Sequence, residues 1–274
     1  MATTRIGFDR LPAAVRAAVE RHTGPLLTVA EASEGFNSEI AVRITSAAGA
    51  WHVKGLRTDH PRASTQRREA SVAPYLGAVG PGLCWRVETG GWDLLGFQAL
   101  DGRHADYGPR SADLAEVAAL LRRLGEIPCP GVELRRAEQR LERYVTTSDD
   151  LRFFAGNYLL HTDLNHTNVL VDDRAPQGDR GCLVDWAWAT RGAAWLDAGY
   201  WVVWLIASGH DPVSAERQAD AIPAWHSAPA EGVTAFAAAN RTLWDEISGG
   251  DPDPWTLRLA AAAASWDEHR KVGV

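Results

Sequence analysis

Lysine is nearly missing from this chain of 274 residues: of 28 basic residues, only Lys54 and Lys271 are lysine. With so much alanine and arginine, the make-up points to a GC-rich coding sequence in which arginine serves the surface. A lysine kept against that bias marks a place where a compact ammonium and a planar guanidinium are not interchangeable. Lys271 falls in the C-terminal tail. Lys54 falls inside the strand pattern Trp51-His52-Val53-Lys54, where a functional ammonium outweighs an exposed residue that merely escaped replacement. Cysteine is scarce as well. Cys84, Cys129 and Cys182 lack the spacing of metal ligands, and the expectation is reduced thiols in a cytoplasm. No run of about 18 apolar residues exists, so no membrane span is expected. The densest apolar run, 198–207, reads as a buried helix, and the opening MATTRIGFDR has no apolar core of a signal peptide. Positive charge is in deficit. A net charge of −7 argues against a general nucleic-acid or membrane-surface binder and is compatible with cationic substrates. There is no internal repeat and no low-complexity linker. What remains is a chain with 46% apolar residues, enough for a substantial core in one large domain or two modest ones.

Against that background one stretch stands out. His161, Asp163 and Asn168 stand at the offsets H-x-D-x-x-x-x-N, and Asp185 follows after a turn-rich gap. Random scattering of these residue types produces the triple in roughly 1 in 100 chains of this composition. The triple follows Leu159-Leu160 and leads into Val169-Leu170-Val171, so it reads as a loop between two strands; Asp185 ends a third apolar run. A base, an amide and a second carboxylate in this order suit magnesium-dependent phosphoryl transfer, where the protein mostly orients groups and neutralises charge. Asp163 would accept or align the proton of an attacking hydroxyl. Asn168 and Asp185 offer oxygen donors to a hard cation. His161 is expected to brace the loop through its ring nitrogens. Turn and capping roles are the competing reading for any one of these residues, but not for the four together.

The rest of the chain supplies a plausible frame. A helix is expected at 11–21. Strands are expected at 26–30, 39–44, 51–56, 84–88 and 92–98, forming a five-stranded antiparallel sheet. The first two strands flank Ser33-Glu34-Gly35-Phe36-Asn37-Ser38, whose backbone amides around Gly35 and Ser38 could approach a phosphate; an ordinary hairpin loop is the alternative. Pro61 opens a helix to about residue 76. It carries Glu69, which either pairs with Lys54 or is one more solvated charge beside Arg67 and Arg68. Asp101-Gly102 breaks the pattern as a hinge. Beyond it come helices at 111–124, 134–144, 194–208, 213–224, 233–247 and 255–269. Five tryptophans cluster at Trp186, Trp188, Trp195, Trp201 and Trp204, with core packing favoured over an aromatic substrate wall.

In that order the elements resemble the aminoglycoside phosphotransferase family of bacterial small-molecule kinases, along nearly the whole chain. That family's loop is written H-G-D-x-x-x-x-N, followed by a strand ending in Asp-Trp or Asp-Phe. The resemblance implies an α+β, two-lobed protein-kinase-like fold, with a small antiparallel-sheet lobe over 1–99 and a mostly helical lobe over 100–274. It implies ATP and Mg2+ as cofactors, Asp163 as the catalytic aspartate, Asn168 and Asp185 as metal ligands, and Lys54 as the phosphate-binding lysine. Asp197 resembles the aspartate that ties the loop to its following helix. Trp186 stands where protein kinases have the Phe of Asp-Phe-Gly, and no glycine follows. Thr162 replaces the usual glycine, and Asn165-His166-Thr167 replaces a frequent His-Pro-Gly, which leaves the acceptor open.

The expected function is therefore transfer of the γ-phosphate of ATP to a hydroxyl of a small molecule, an antibiotic or a polar metabolite. Adenine is expected at the hinge, against backbone around Gln98 and Leu100. Asp245, Glu246, Asp267 and Glu268 are candidate partners for an amine-bearing acceptor, although a solvated helix surface is the favoured reading. A kinase-like nucleotide-binding scaffold without catalysis is the alternative, opposed by the presence of base, lysine and both metal ligands.

Overall fold

The computed structural model describes residues 5–32, 38–250 and 252–272. Gly35 and its neighbours 33–37 lie outside the described residues. The chain divides into two compact units, residues 1–102 with 183–188, and residues 103–182 with 189–274. The division is not linear in sequence, because the segment carrying Asp185 belongs with the first unit.

The first unit begins with α1 (Ala13–Thr23), β1 (Leu26–Glu31), β2 (Ile40–Ser46) and β3 (Gly49–Arg57). It continues with α2 (Ala63–Val72), β4 (Leu83–Thr89) and β5 (Trp92–Gln98). The five strands form one antiparallel sheet in the order β1-β2-β3-β5-β4. Strand alternation separates its faces. Val42, Ile44, Trp51, Val53, Trp85, Val87 and Leu94 join Val15 and Val19 of α1 in one buried cluster. Leu95 and Phe97 join Ala73 in another, just beyond α2. Each such aliphatic side chain contributes on the order of 1.5–3 kcal/mol through burial. The helix expected to reach residue 76 ends at Val72, because Pro74 cannot continue it and a 3-10 turn at Ala73–Tyr75 takes over. Next to Lys54, Gly55 is required for close packing: a Cβ there would lie 2.0 Å from the Cδ2 of Leu94.

The second unit contains β6 (Arg103–His104), α3 (Asp113–Leu124), β7 (Arg135–Arg136), α4 (Ala137–Leu141), β8 (Tyr158–Leu160) and β9 (Val169–Val171). These lead to β10 (Gly181–Leu183), β11 (Thr190–Gly192), α5 (Leu196–Ala207), α6 (Pro212–Ala219), α7 (Ala230–Ser248) and α8 (Pro254–Val272). Two small sheets have the orders β10-β9-β6 and β7-β11-β8, so the loop between β8 and β9 passes from one to the other. The helix expected over 134–144 is corrected to the five residues of α4, because Arg135 and Arg136 are drawn into a parallel ladder with β11. The helix expected over 213–224 ends at Ala219, ahead of Pro223.

The helical core is aromatic. Phe236 of α7 meets Trp195, Phe154 and Trp266 at ring distances of 5.4, 5.7 and 6.1 Å, in the edge-on geometry that aromatic pairs favour. Helix α5 is buried on nearly all sides, while α8 buries the stripe Leu259, Ala262, Ala263 and Trp266, spaced as one helix face. Trp186, Trp195, Trp201 and Trp204 are therefore interior residues. Among the described residues no helix is long and apolar enough to cross a membrane, and the three cysteines are free thiols.

Candidate functional site

The first unit brings three of the singled-out residues together. Lys54 lies on β3, opposite Leu95 of β5, and only 9% of it is exposed. Its Nζ stands 2.5 Å from Oε2 of Glu69 and 2.9 Å from Oδ1 of Asp185, with the Phe97 ring beneath it at 5.9 Å. Burial works to strip the ammonium of its proton, but the two carboxylates outweigh it and hold the group charged well above its ordinary range. Burial acts on Glu69 in the opposite sense and pushes its carboxyl upward against the attraction of Lys54. The other oxygen of Glu69 accepts the backbone N–H of Trp186 at 3.1 Å, so one glutamate fixes both the lysine and the residue after Asp185. Glu69 is thus an interior group of α2, not a solvated charge.

Asp185 itself has φ of +62°, a left-handed conformation that aspartate tolerates better than most residues. His52, two residues before Lys54, is neutral: burial, then the nearby Lys54 charge, lower its pKa to about 4. At the end of this unit Gln98 N–H donates to Gly82 at 2.8 Å, and Ala99 N–H donates to Ala50 at 3.2 Å. Arg43 donates to the Leu100 carbonyl at 3.1 Å and pairs with Asp101 at 2.6 Å, which pins the expected adenine-binding segment from one side. Ser38 is buried just before β2.

The second unit gathers the other three. His161 follows β8 and is fully buried. Its N–H and that of Thr162 both donate, at 2.8 Å, to the carboxylate of Asp197 in the first turn of α5. A helix N-terminus favours a carboxylate there. Burial nevertheless pushes the Asp197 carboxyl upward, and the bonds from His161 and Thr162 oppose that shift. The Asp163 N–H donates to Nδ1 of His161 at 3.3 Å, which makes His161 a brace for the loop. Asn168 donates from Nδ2 to the Asp163 carbonyl at 3.1 Å, so its amide oxygen is turned away from that bond. Asn165 caps the short turn between them by accepting the Thr167 N–H.

Two features of this loop escaped the sequence. Thr162 has φ of +65°, an outlier for a β-branched residue, at the position where the resembling family carries glycine. Its hydroxyl accepts from Arg140 of α4 at 2.6 Å, and Arg140 also reaches Thr190 of β11 at 2.5 Å. Strain of about 1–3 kcal/mol persists only where surroundings over-determine it, and Arg140 is part of that restraint. The replacement of glycine by threonine was the available signal; the sequence placement of Arg140 gave none. Tyr107 is the second feature. It is buried, its ring lies 6.2 Å from His166, and its hydroxyl has no hydrogen-bond partner among the described residues. Burial, then the charge of Asp163, drives its pKa well up.

Of the four candidate acidic partners only Asp267 is interior; the side chains of Asp245, Glu246 and Glu268 are 59%, 48% and 70% exposed, the solvated helix surface favoured from the sequence. Asp267 is fully buried between Arg241 at 3.1 Å and Lys271 at 2.6 Å. Asp245 and Glu268 also lie against Arg241, at 3.9 and 3.8 Å, and Glu246 pairs with Arg143. No cluster of three or more His, Cys, Asp or Glu suited to a metal exists among the described residues. Asn168 and Asp185 do present oxygen atoms, the donor chemistry magnesium favours when phosphate and water complete its shell.

A five-stranded antiparallel sheet carrying a buried Lys–Glu–Asp triad, with a following helical unit carrying the His161–Asn168 loop, defines a kinase-like fold. Solved structures agree. The chain is similar to choline kinase LicA from Streptococcus pneumoniae, at 12% identity over 94% of this chain and 100% of that one, with a TM-score of 0.58. It is similar to a thermostable mutant of aminoglycoside phosphotransferase APH(4)-Ia in complex with ADP and hygromycin B, at 13% identity over 96% and 99%, TM-score 0.58. It is also similar to a microcompartment-associated aminopropanol kinase, at 13% over 95% and 97%, TM-score 0.57. No family model matches the sequence, and no curated protein matches it in sequence. The chain therefore has the two-lobed fold of the small-molecule kinases.

Proposed function

We propose that this protein is an ATP- and magnesium-dependent phosphotransferase acting on a hydroxyl of a small molecule. The observation that carries this reading is the placement of the chain's one interior lysine between Glu69 and Asp185. The fold's solved relatives, which include choline and aminopropanol kinases, support it. The ammonium of Lys54 would neutralise the α and β phosphates of the nucleotide. The acceptor oxygen would attack the γ-phosphorus; the new O–P bond forms as the bond from phosphorus to the β,γ-bridging oxygen breaks. ADP leaves with that electron pair, and the hydroxyl proton passes to the carboxylate of Asp163. His161 would position Asp163 by accepting its backbone N–H, and Asp197 by holding the N–H groups of the two residues before it. Asn168 and Asp185 would hold magnesium, whose charge, when bound, offsets that of the transferred group. Gln98 and Leu100 would meet adenine, and the Gly35–Ser38 loop the phosphates. The partner is a small molecule, not nucleic acid or membrane, and the compartment the cytoplasm.

The test is turnover of MgATP with a panel of hydroxylated compounds, comparing wild type with Asp163→Ala. The variant is expected to lose about 10²- to 10⁴-fold in rate; equal rates would overturn the assigned mechanism. Nucleotide binding by calorimetry with no product from any acceptor would favour a non-catalytic scaffold instead.

A further inference from the structure

The acceptor's chemistry is written in the second unit by what the acids do and by where three aromatic rings sit. Recognition of a polycationic acceptor needs carboxylates that are not already paired. Asp267 is buried between Arg241 and Lys271, and the exposed Asp245, Glu268 and Glu246 each have Arg241 or Arg143 as a neighbour, so none of these acids of α7 and α8 stands without a cation beside it.

Beside the loop the surface is aromatic instead. His166 sits between Asp163 and Asn168 in the chain, and its half-buried ring lies 5.1 Å from Trp255 and 6.4 Å from Trp204. The two tryptophans lie 6.1 Å apart, closing a three-ring platform. Trp204 is buried in α5 and fixes the base of this platform, whereas 38% of Trp255 is exposed. Trp255 is held in place: the Asp253 carboxylate accepts its N–H at 2.8 Å and that of Thr256 at 2.9 Å, capping α8. A pre-positioned, partly exposed indole offers a large contact area at small entropic cost.

The charge over the exposed ring is positive, while the Asp253 carboxylate is engaged by the N–H groups and hydroxyl of its own turn. The Arg258 guanidinium lies over the Trp255 ring at 5.2 Å, and it has no acidic partner among the described residues. A cation approaching this ring meets another cation already there, so the usual attraction of indole for ammonium is opposed. A flat ring stacks without that penalty, and a carboxylate gains a charge-assisted partner.

We propose that the phosphoryl acceptor is a hydroxylated molecule with a flat unsaturated ring, neutral or anionic, which stacks on Trp255 beside His166, with the buried Trp204 supporting both rings and Arg258 receiving an acidic substituent. The assignment rests on the phosphotransferase reading and narrows it away from polyamines. The phosphoryl step is unchanged: the acceptor hydroxyl takes the γ-phosphoryl group and gives its proton to Asp163.

The test is equilibrium binding, which requires no turnover. The probes are 6-(hydroxymethyl)-2-naphthoate, 2-naphthalenemethanol, decahydro-2-naphthalenemethanol and kanamycin, titrated separately into wild type, Trp255→Leu, Trp255→Phe and Arg258→Gln. In wild type the naphthoate is expected to bind tightest, and at least tenfold more tightly than kanamycin or the saturated alcohol. Trp255→Leu should weaken both naphthalene probes at least fivefold, with Trp255→Phe recovering much of the loss. Arg258→Gln should weaken the naphthoate but not the neutral alcohol, which a loss of structure alone would not do. Kanamycin binding more tightly than the naphthalenes, no naphthalene binding, or indifference to Trp255→Leu would each overturn the proposal. Binding of ATP is measured on the same samples. Its failure alone, with platform binding intact, removes the kinase reading and leaves the platform as an aromatic-ligand site.

Discussion

The two units hold their candidate residues by opposite means. In the first unit the order comes from side-chain charge: Lys54 is fixed by two carboxylates, and one of them also grips the Trp186 backbone. In the second it comes from backbone geometry. A single buried carboxylate, Asp197, takes two consecutive N–H groups, and a threonine is held in a left-handed conformation. A charged cluster is rigid while complete and costly once broken, because a lone buried charge keeps its desolvation penalty. A loop held by backbone bonds can lose one restraint and keep its remaining ones.

The largest effect should therefore follow from breaking the charged half. Lys54→Ala leaves Glu69 and Asp185 facing each other without a cation and is expected to cost about 3–5 kcal/mol in chemical denaturation. Adding Glu69→Gln to that variant should restore part of the loss, since it removes one of the two stranded charges. If Lys54→Ala unfolds at the wild-type midpoint, the triad is not a buried ion pair.

Asp197→Ala is the corresponding blow to the other half. It strips two buried N–H groups of their acceptor, at roughly 1–3 kcal/mol for each that stays unsatisfied. Its catalytic effect should exceed its effect on nucleotide affinity, a split that kcat and KM for ATP would show. Equal loss in both would mean that the two halves do not separate as described.

A third effect depends on pH and belongs to the first unit alone. His52 is held neutral with a pKa of about 4, below the ordinary value of 6.5, so between these values the unfolded chain binds the proton and the folded one does not. Stability from this group is complete above about pH 6.5 and is lost as pH falls toward 4, by about 1–3 kcal/mol. His52→Gln should flatten a denaturation profile over that window, and an unchanged slope would refute the assignment.

The smallest effect should come from Thr162. Thr162→Gly relieves the left-handed strain but gives up the Arg140 bond and frees the unfolded chain, so a net change within about 1 kcal/mol is expected. The sharper readout is coupling. Arg140→Met should slow turnover more in the wild-type background than in Thr162→Gly, where the loop no longer needs restraining.

The same contrast explains what the sequence disclosed. The sheet was legible because its strands alternate or run apolar between turns, from the alternation of β4 to the buried run of β5, and Lys54 stood out because arginine had replaced lysine nearly everywhere else. His161, Asp163, Asn168 and Asp185 stood out because their spacing along the chain rarely arises by chance. Glu69 stayed ambiguous, since its neighbours Arg67 and Arg68 disguise an inward position on a helix with a charged outer face. Arg140 was hidden for a different reason: it acts on Thr162 and Thr190 across the fold, and its segment read as an ordinary helix. The return of residues 183–188 to the first unit depends on tertiary packing that no local pattern encodes. The aromatic platform was obscured in the same way, because Trp204 and Trp255 lie on different helices.

The central claim is that Asp163 serves the transfer step while Lys54 serves the nucleotide. Single-turnover formation of phosphorylated acceptor from γ-labelled ATP, with ATP affinity measured in parallel, separates these roles in Asp163→Asn and Lys54→Met. The account expects Asp163→Asn to bind ATP like wild type and to form product about 10²- to 10⁴-fold more slowly, with Lys54→Met weakened in ATP binding as well. Undiminished product formation by Asp163→Asn would contradict it.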